Sequence, residues 1–408
     1  MSENAAGFPL RIGFDEAETI VRRVARERQL GTERVALARA HGRVLAGDVV
    51  AESALPPFDN SAMDGFALRH ADAVGGHARL RLIGEQFAGI ALPLRVGQGE
   101  CVRITTGAPM PPGADTVVMK EDTTLEGEHV VLAAALRAGQ HVRRAGEDVQ
   151  PGQRVLQAGQ VLTPARIALA ASLGLAELEV ARRPTVAVFA TGDELVEPGL
   201  PLQPGQIYNS NRELLMGLLR EAGLEPTAWP TLPDDAVRVG AMLRDAADHF
   251  DLVLTCGAVS AGEKDHIPTL LQAEGEVHFW KVRMRPGMPL LFGTLRQAAF
   301  LGLPGNPVSV LATWLALGRV LVGGLQGRVE PRLRMRARLS AAWTKKHERL
   351  EFLRGRLQPG DDGVLWAAPN PADGSHRMRG AADSDVLIVL PEGAREFAAG
   401  EPVDVLLY

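Results

Sequence analysis

Hydrophobic residues recur with a helical period in some segments of the chain and form short strand-like runs in others. This difference divides the chain into predicted helical and β-rich segments. From Phe14 to Ala40, apolar residues recur at helical spacing among arginines, which predicts a helix. Between residues 46 and 145, short apolar runs are separated by Gly/Pro-rich stretches such as GAPMPPGAD, which is typical of a β-rich domain. Residues 163–175 return to a helical pattern, with Thr163 as N-cap, Pro164 in the first turn and Gly174 at the end.

The segment from residue 182 to 329 alternates apolar strands with amphipathic helices. The strand-like runs are PTVAVFATG (184–192), DLVLTCG (251–257) and AAFLGLPGNP (298–307). Such alternation predicts a doubly wound, mostly parallel sheet with helices on both faces. Beyond Pro331, alternating runs separated by turns predict a small all-β domain. The fold class is therefore multidomain α/β plus β, with a helical linker.

Composition and charge narrow the class of protein. The 408 residues are 46% hydrophobic and 23% charged, with a formal net charge of −5, so no global field favours nucleic acid or an anionic membrane. The first residues lack the pattern of a secretory signal, and the apolar segment 308–325 contains Arg319, which favours a buried helix over a membrane span. Two cysteines, Cys101 and Cys256, are too few for a disulfide framework. We expect a cytoplasmic protein.

Candidate chemistry lies in three loops that follow predicted strands, because ligands of open α/β sheets bind at the carboxyl ends of strands. The loops contain GDELVEPG (192–199), GAVSAGEKDH (257–266) and PGNPVSV (304–310). The small residues of GAVSAG allow backbone N–H groups to approach a phosphate, although a tight turn explains them equally well. The loops match neither the P-loop nor the dinucleotide fingerprint.

The same loops contain carboxylates, which would repel a phosphate unless a cation lies between them. Asp193, Glu194 and Asp265 follow strands of one sheet, and a divalent cation such as Mg²⁺ is typically held by one or two carboxylates plus phosphate oxygens. Each acid alone is also explained by a helix cap or a solvated turn. Lys281, Arg283 and Arg285 alternate, which predicts one basic face for an anion or, equally, a protected edge strand.

A polar cluster in ALPPFDNSAMDGFAL (54–68) is denser than a turn requires, with Asp59 and Asp64 flanking Asn60 and Ser61. Together with eight further motifs in order, it resembles the molybdopterin molybdenumtransferases, to which the C-terminal domain of gephyrin is related. The nine motifs are PPFDNSAMDGFAL (56–68), RITTGAPMPPGADTVVMKED (103–122), RRAGEDV (143–149), TGDEL (191–195), IYNSNR (207–212), CGAVSAGEKD (256–265), RPGMPLLFG (285–293), LPGNPVS (303–309) and GSH (374–376).

The resemblance implies four domains and an elongated homodimer. The domains would be residues 1–45 with 146–181 (helical linker), 46–145 (β-rich), 182–329 (molybdopterin-binding α/β) and 330–408 (C-terminal β). The family's active site lies between the α/β domain of one subunit and the second domain of the other. Asp59 would therefore reach into its partner's site, which would explain the polar cluster.

The resemblance also implies the reaction: molybdate enters adenylylated molybdopterin and AMP is released, with Mg²⁺ required, in the last step of molybdenum cofactor synthesis. Other proteins of that pathway would exchange the pterin with it. Matching motifs assign catalytic roles to Asp59, Asp148, Glu194, Asp265, Lys281 and Arg285, of which Asp59, Glu194 and Asp265 would bind the metal. They assign substrate or cofactor binding to Asp234 (or Asp235), Gly257, Ser260, Gly262, Pro304, Asn306, Pro307 and Ser375.

Some positions depart from the family pattern. Ala258 replaces a glycine of GGVS, and RPGMP replaces KPGKP, so that Arg285 keeps a positive charge whereas Met288 loses one. Two other functions stay open: a non-catalytic molybdopterin-binding scaffold and a molybdopterin adenylyltransferase. The acids at positions 59, 148, 194 and 265 argue against the scaffold. The additional N-terminal and C-terminal domains argue against the adenylyltransferase. Beside the loop, Cys256 is expected to be a buried thiol rather than a thiolate ligand.

Overall fold

A computed structural model describes residues 8–259, 266–331, 335–372 and 374–408. Among these residues, seven strands form a central sheet, and all run in one direction except Leu291–Leu295. In spatial order the strands are Leu10–Ile12, Gly275–Val282, Leu291–Leu295, Ala298–Leu303, Leu252–Cys256, Val186–Ala190 and Pro226–Ala228.

Both faces of the central sheet are covered by helices, which confirms the doubly wound prediction. Val186 and Val188 belong to the apolar core on one face, whereas Ala187 and Phe189 belong to the core on the other. This division follows from the two-residue period of a strand. The first core packs against helices Phe14–Glu27, Ser210–Glu221, Pro307–Thr313 and Arg319–Leu325, and the second against Ala236–His249 and His266–Glu274.

The predicted helix from Phe14 to Ala40 is wrong beyond Glu27. After a turn at Leu30, whose N–H donates to the Leu325 carbonyl (2.9 Å), the chain forms strand Thr32–Ala36 and the short helix Leu37–Arg39. The strand pairs antiparallel with Glu177–Ala181, so the partner strand satisfies the backbone groups that a longer helix would have satisfied internally. Leu10–Ile12 and Phe14–Glu27 pack with the central sheet rather than with the linker strands.

The remaining linker and β-rich elements form smaller units. Val49–Val50 pairs with Arg154–Leu156, and helix Pro164–Ser172 is capped as predicted, since the Thr163 hydroxyl accepts from the Arg166 N–H. A six-stranded sheet confirms the β-rich domain; in order its strands are Thr116–Met119, Gly65–Leu68, Glu100–Ile104, Arg79–Gln86, His129–Leu132 and Thr123–Glu126. Short elements nearby are Asn60–Ser61, Val142–Arg143, His70–Asp72 and Lys120–Asp122.

The C-terminal segment is a closed β-barrel. Strand Leu350–Pro359 pairs with both Leu365–Pro369 and Val386–Leu390, which closes a ring that also contains Met335–Leu339 and Pro402–Leu407. Closure leaves no free sheet edge in the ring. A two-residue strand, Met284–Arg285, pairs with Leu350–Glu351 and joins the α/β domain to the barrel. The other elements are Trp343–Lys345, Arg395–Phe397 and helix Met378–Ala382.

The apolar segment after Asn306 is a buried helical rod, as predicted. It runs from Pro307 to Leu325 and includes a wider turn at Trp314–Gly318, where a side chain on Gly318 would lie 2.3 Å from the Trp314 ring. Among the described residues this is the one helix long and apolar enough to cross a membrane, and 83% of its apolar window is buried inside the fold. Its apolar character is therefore explained by the core of the α/β domain.

Candidate functional site

The carboxyl ends of three parallel strands meet at one edge of the central sheet. The Thr191 N–H donates to the Cys256 carbonyl (3.2 Å), and the Gly257 N–H donates to the Leu303 carbonyl (2.9 Å). The Gly305 carbonyl accepts from the side-chain amide of Asn211 at 2.6 Å. We call the loops 191–197, 257–259 and 304–306, together with Asn211, the strand-end rim.

Glycine is required at two positions of the strand-end rim. Gly192 has φ +126°, and a Cβ there would lie 2.3 Å from the Glu194 carboxylate. Gly257 has φ +100°, and a Cβ there would lie 2.3 Å from the Thr191 hydroxyl. A residue with a side chain would therefore be strained at either position. The exposed Glu194 carboxylate folds back over Gly192, and exposed Asp193 lies beside it.

A short flap follows Glu194 and is fixed to the rim. Strand Leu195–Val196 pairs with Ile207–Tyr208, and the Ile207 N–H donates to the Glu194 carbonyl at 2.9 Å. Arg212 donates from Nη1 to Glu197 at 2.6 Å, and the resulting ion pair ties the flap to helix Ser210–Glu221. The backbone of Glu194 is therefore anchored while its side chain stays in solvent.

Residues Ser260, Gly262 and Asp265, all predicted to belong to the site, lie outside the described residues. The loop that leads to them is anchored, because the Trp280 indole N–H donates to the Val259 carbonyl at 2.8 Å. Ala258 adopts φ +55°, a left-handed conformation that favours glycine. Cys256 is buried, which raises the pKa of its thiol to about 12, so the expected buried thiol is confirmed.

Asp59 and Asp148 lie in the β-rich and linker region. The Asp59 carboxylate accepts from the Ala145 N–H (2.8 Å) and from Arg144 Nη1 (2.6 Å); these bonds, the backbone one first, lower its pKa below the usual value. Asp59 is therefore ionised and fixed in direction. Asp148 is exposed in the adjoining turn, where its N–H donates to the Leu55 carbonyl (3.0 Å).

The second acid of the polar cluster has a structural partner. Asp64 accepts hydrogen bonds from the N–H and the hydroxyl of Thr106 at 2.8 and 2.9 Å, which lower its pKa. Within residues 8–259, 266–331, 335–372 and 374–408, no group of three or more His, Cys, Asp or Glu side chains could hold a metal ion. The predicted metal set of Asp59, Glu194 and Asp265 includes one residue beyond those ranges and stays a prediction.

In the LPDD motif, the structure separates the two aspartates. Asp235 is the N-cap of helix Ala236–His249, and its carboxylate accepts from the Arg238 N–H at 2.9 Å. This is the local role expected of an N-cap aspartate. Asp234 is exposed beside it, and we retain it as the candidate ligand-binding acid.

The prediction that Lys281, Arg283 and Arg285 share one strand face is wrong. Lys281 has φ +68°, which interrupts the alternation near the end of strand Gly275–Val282, and its ammonium lies 4.8 Å from the centre of the Trp280 ring. Arg283 contacts Glu392 of the C-terminal barrel at 2.9 Å. Arg285 lies on the separate strand Met284–Arg285. The three cations therefore have three different surroundings.

A cavity of about 630 Å³ lies between the α/β domain and the barrel, and we call it the arginine cavity. It contains four residues that the sequence predicted for binding or catalysis: Arg285, Pro304, Asn306 and Ser375. Pro307, also predicted, begins the adjoining helix, and the Ser375 carbonyl accepts from the Val308 N–H at 3.3 Å. Other lining residues are Met288, Arg349, Glu351, Arg354 and His376.

Arg349 and Arg354 were missed in the sequence, although they bring two further guanidinium groups to the cavity. Arg354 is 3% exposed, and it donates to the carbonyls of Arg377 (2.8 Å) and Gly374 (3.2 Å). Arg349 is partly desolvated and lies near Arg285, and both effects lower its pKa. Charged residues within and directly before the apolar run LEFLRG (350–355) were the available signal, since such residues are rarely buried without a partner.

Comparison with known proteins identifies the family from all three parts of the chain. Residues 12–174 match the MoeA N-terminal region (domain I and II), residues 187–323 match a probable molybdopterin binding domain, and residues 336–408 match the MoeA C-terminal region (domain IV). The chain is 41% identical over 382 residues to molybdopterin molybdenumtransferase 2 of Mycobacterium tuberculosis, covering 91% of this chain and 94% of the relative. The chain belongs to the molybdopterin molybdenumtransferase family.

Other members agree over similar lengths. The molybdopterin molybdenumtransferase of Haemophilus influenzae is 38% identical over 377 residues, which cover 92% of this chain and 93% of the relative. A solved molybdopterin biosynthesis moeA protein from Pyrococcus horikoshii OT3 superposes with a TM-score of 0.83 at 28% identity, covering 98% of this chain and all of that one. The molybdopterin molybdenumtransferase fold thus extends over nearly the entire chain.

Proposed function

We propose that this chain inserts molybdate into adenylylated molybdopterin and releases AMP, in a site shared by the two subunits of a homodimer. The arginine cavity carries the proposal. It presents Arg285, Arg349 and Arg354 within a space of about 630 Å³, and guanidinium groups are well suited to a tetrahedral dianion. Family membership supports the pterin substrate and a place in molybdenum cofactor synthesis, for which we propose a cytoplasmic location.

The cavity adjoins the strand-end rim through one loop. Pro304, Gly305 and Asn306 line the cavity, and the Gly305 carbonyl is bound by Asn211 of the rim. An oxyanion in the cavity and a pterin phosphate held along the rim by Gly257, Ser260 and Gly262 would therefore be neighbours. Holding two anionic reactants in place supplies much of the catalysis expected of such a site.

Exposed carboxylate oxygens at the rim fit Mg²⁺, which prefers oxygen ligands, whereas the buried Cys256 thiol does not. We propose Glu194 and Asp265, with Asp59 of the partner, as the residues that would hold the ion. A bound Mg²⁺ would neutralise charge on the phosphates. The anchored backbone would fix the position from which the Glu194 side chain extends, and two hydrogen bonds would fix the direction of the Asp59 carboxylate.

The reaction can be tested with purified protein, adenylylated molybdopterin, Mg²⁺ and either molybdate or tungstate, with AMP release as the readout. We expect AMP only when the oxyanion is present. Glu194→Ala should lower the rate by about a thousandfold, as loss of a group that acts on the reacting phosphate does. The exposed Glu128→Ala is the matched control and should retain the wild-type rate. Full turnover in Glu194→Ala would contradict the proposal and support the scaffold interpretation.

The shared site has its own test. Asp59→Ala should also be inactive while remaining a folded dimer. Mixing Asp59→Ala with Glu194→Ala subunits should restore part of the activity, because hybrid dimers contain one site with neither substitution. Two inactive variants that fail to complement each other would place both acids within one chain.

A further inference from the structure

One carboxylate is buried inside the arginine cavity. Glu351 is 5% exposed, and its Oε1 lies 3.5 Å from Arg285 Nη1. His347 approaches the same oxygen, with Nε2 at 3.3 Å, although the pair lacks the alignment of a hydrogen bond. A negative charge in a site for a dianion opposes binding through Coulomb repulsion. Its presence there requires an explanation.

The backbone explains how Glu351 and Arg285 meet. In the parallel pairing of Met284–Arg285 with Leu350–Glu351, Arg285 is the register partner of Glu351. The two side chains therefore start from neighbouring positions on two strands that belong to different domains. Each long side chain would otherwise retain several rotamers, and the ion pair between them restricts the directions that the guanidinium can take.

Arg354 does not need such help, because backbone carbonyls of Gly374 and Arg377 hold its guanidinium. Arg285 is more exposed, with 39% of its side chain accessible, and residues 285–289 form part of the cavity lining. The Glu351 carboxylate is one partner that can set the direction of Arg285. Lys345 and Arg349 lie near enough to interact electrostatically with Glu351, so positive charge surrounds the carboxylate beyond Arg285 itself.

We propose that Glu351, supported by His347, is a positioning residue that holds the Arg285 guanidinium toward the oxyanion in the arginine cavity. This inference rests on the proposed function, because it assigns the cavity to an oxyanion. Glu351 itself acts through Arg285 and does not contact the substrate.

The direction of the change in molybdate affinity distinguishes a positioning role of Glu351 from a purely electrostatic one. If Glu351 were only a negative charge, both Glu351→Gln and Glu351→Met would bind molybdate more tightly, since each removes that charge. If it positions Arg285, Glu351→Met should bind molybdate about tenfold more weakly, because it loses an acceptor for a charged donor. Glu351→Gln keeps an acceptor oxygen and should stay within about threefold of the wild type.

The measurement is isothermal titration of each purified full-length variant with molybdate. Glu348→Gln, which removes an exposed carboxylate three residues away, is the matched control and should bind as the wild type does. In an Arg285→Gln background, Glu351→Met should have no additional effect. Tighter binding by both Glu351 variants, or full additivity with Arg285→Gln, would overturn the proposal.

A crystal structure of Glu351→Met provides a readout that needs no ligand. We expect the Arg285 guanidinium to leave its place in the cavity while the strand Leu350–Pro359 keeps its register. An unmoved guanidinium would overturn the positioning role. Failure of the proposed function would look different: wild-type protein would not bind molybdate, and Arg354 substitutions would change nothing, whatever the position of Arg285 in the variant.

Discussion

The strand-end rim and the arginine cavity carry opposite charges and are built in opposite ways. At the rim, Asp193 and Glu194 are exposed, and the rigid element is the glycine-rich backbone beneath them. In the cavity, a side chain itself is fixed, since Arg354 is 3% exposed and bound to two backbone carbonyls. Exposed acids suit an exchangeable cation, whereas fixed guanidiniums suit a shaped anion. Loss of a residue should therefore have different consequences in the two regions.

The largest effect of the three changes below is expected in the cavity. Arg354→Met should weaken molybdate binding about a hundredfold, because a buried charged donor is lost, and it should also lower stability through the two carbonyls left without it. Titration calorimetry with a thermal melt measures both effects. Arg356→Met is the control, since Arg356 also donates to a backbone carbonyl, that of Asp383, but is exposed and outside the cavity. Equal losses in both variants would remove the distinction between the cavity and the barrel surface.

A carboxylate at the amino end of the central sheet sharpens the comparison. Asp251 accepts two hydrogen bonds from Arg182 and two from Thr185, which connect the segment just after the linker strand Glu177–Ala181 to strand Leu252–Cys256. Asp251→Asn should lower the free energy of unfolding by about 2 kcal/mol, since it removes the charge from a carboxylate that accepts four hydrogen bonds in a partly buried ion pair. It should leave turnover of the folded enzyme unchanged. Glu194→Ala, by contrast, is expected to lower turnover and to leave the free energy of unfolding unchanged. An activity loss equal to that of Glu194→Ala would contradict the assigned structural role.

The same residue predicts a pH dependence. Burial opposes ionisation of Asp251, but the bonds from Arg182 and Thr185 outweigh it, so its pKa lies below the ordinary 3.8. A carboxylate with a depressed pKa stabilises the fold above its unfolded pKa, and that stability is lost as pH falls through the folded value. The difference between wild type and Asp251→Asn should thus be constant near neutral pH and shrink below pH 3.8. Denaturant titrations at several pH values measure it.

The smallest effect is expected at the rim backbone. Ala258 has φ +55°, where an alanine costs about 1 kcal/mol relative to glycine, partly offset by the greater flexibility of glycine in the unfolded chain. Ala258→Gly should therefore raise the free energy of unfolding by about 0.5 kcal/mol. A chemical denaturation curve measures the change. A lower stability would mean that the loop requires the methyl group.

The two regions also differed in how far the sequence could predict them. At the rim, Gly192 and Gly257 lie within two residues of the ends of their strands, so the local pattern sufficed, as it did for Thr163 and Pro164 at the start of the linker helix. The cavity combines Arg285, Asn306, Arg354 and Ser375 from separated segments, and only the docking of barrel and sheet brings them together. The motifs predicted the members near glycines and prolines, whereas Glu351 and Arg354 lie inside an ordinary strand pattern and Arg349 directly precedes it.

Long-range pairing also explains the errors. The helix predicted to continue to Ala40 ends at Glu27, because Thr32–Ala36 finds a partner in Glu177–Ala181, more than 140 residues away. The alternation of Lys281, Arg283 and Arg285 is interrupted at Lys281, whose backbone adopts a left-handed conformation. No neighbouring glycine indicated this conformation in the sequence. In both places a tertiary contact or a backbone irregularity overrode a valid local preference.

The two-residue strand Met284–Arg285 joins the α/β domain to the barrel, and both contribute residues to the arginine cavity. Because walls of the cavity come from both, an anion that binds there binds only the docked arrangement, and by mass action each bound molecule would suppress detachment of the barrel. The concentration of the oxyanion would then affect both the turnover rate and the fraction of molecules in which the barrel stays docked. Docked molecules would resist proteolysis at the junction between the two domains.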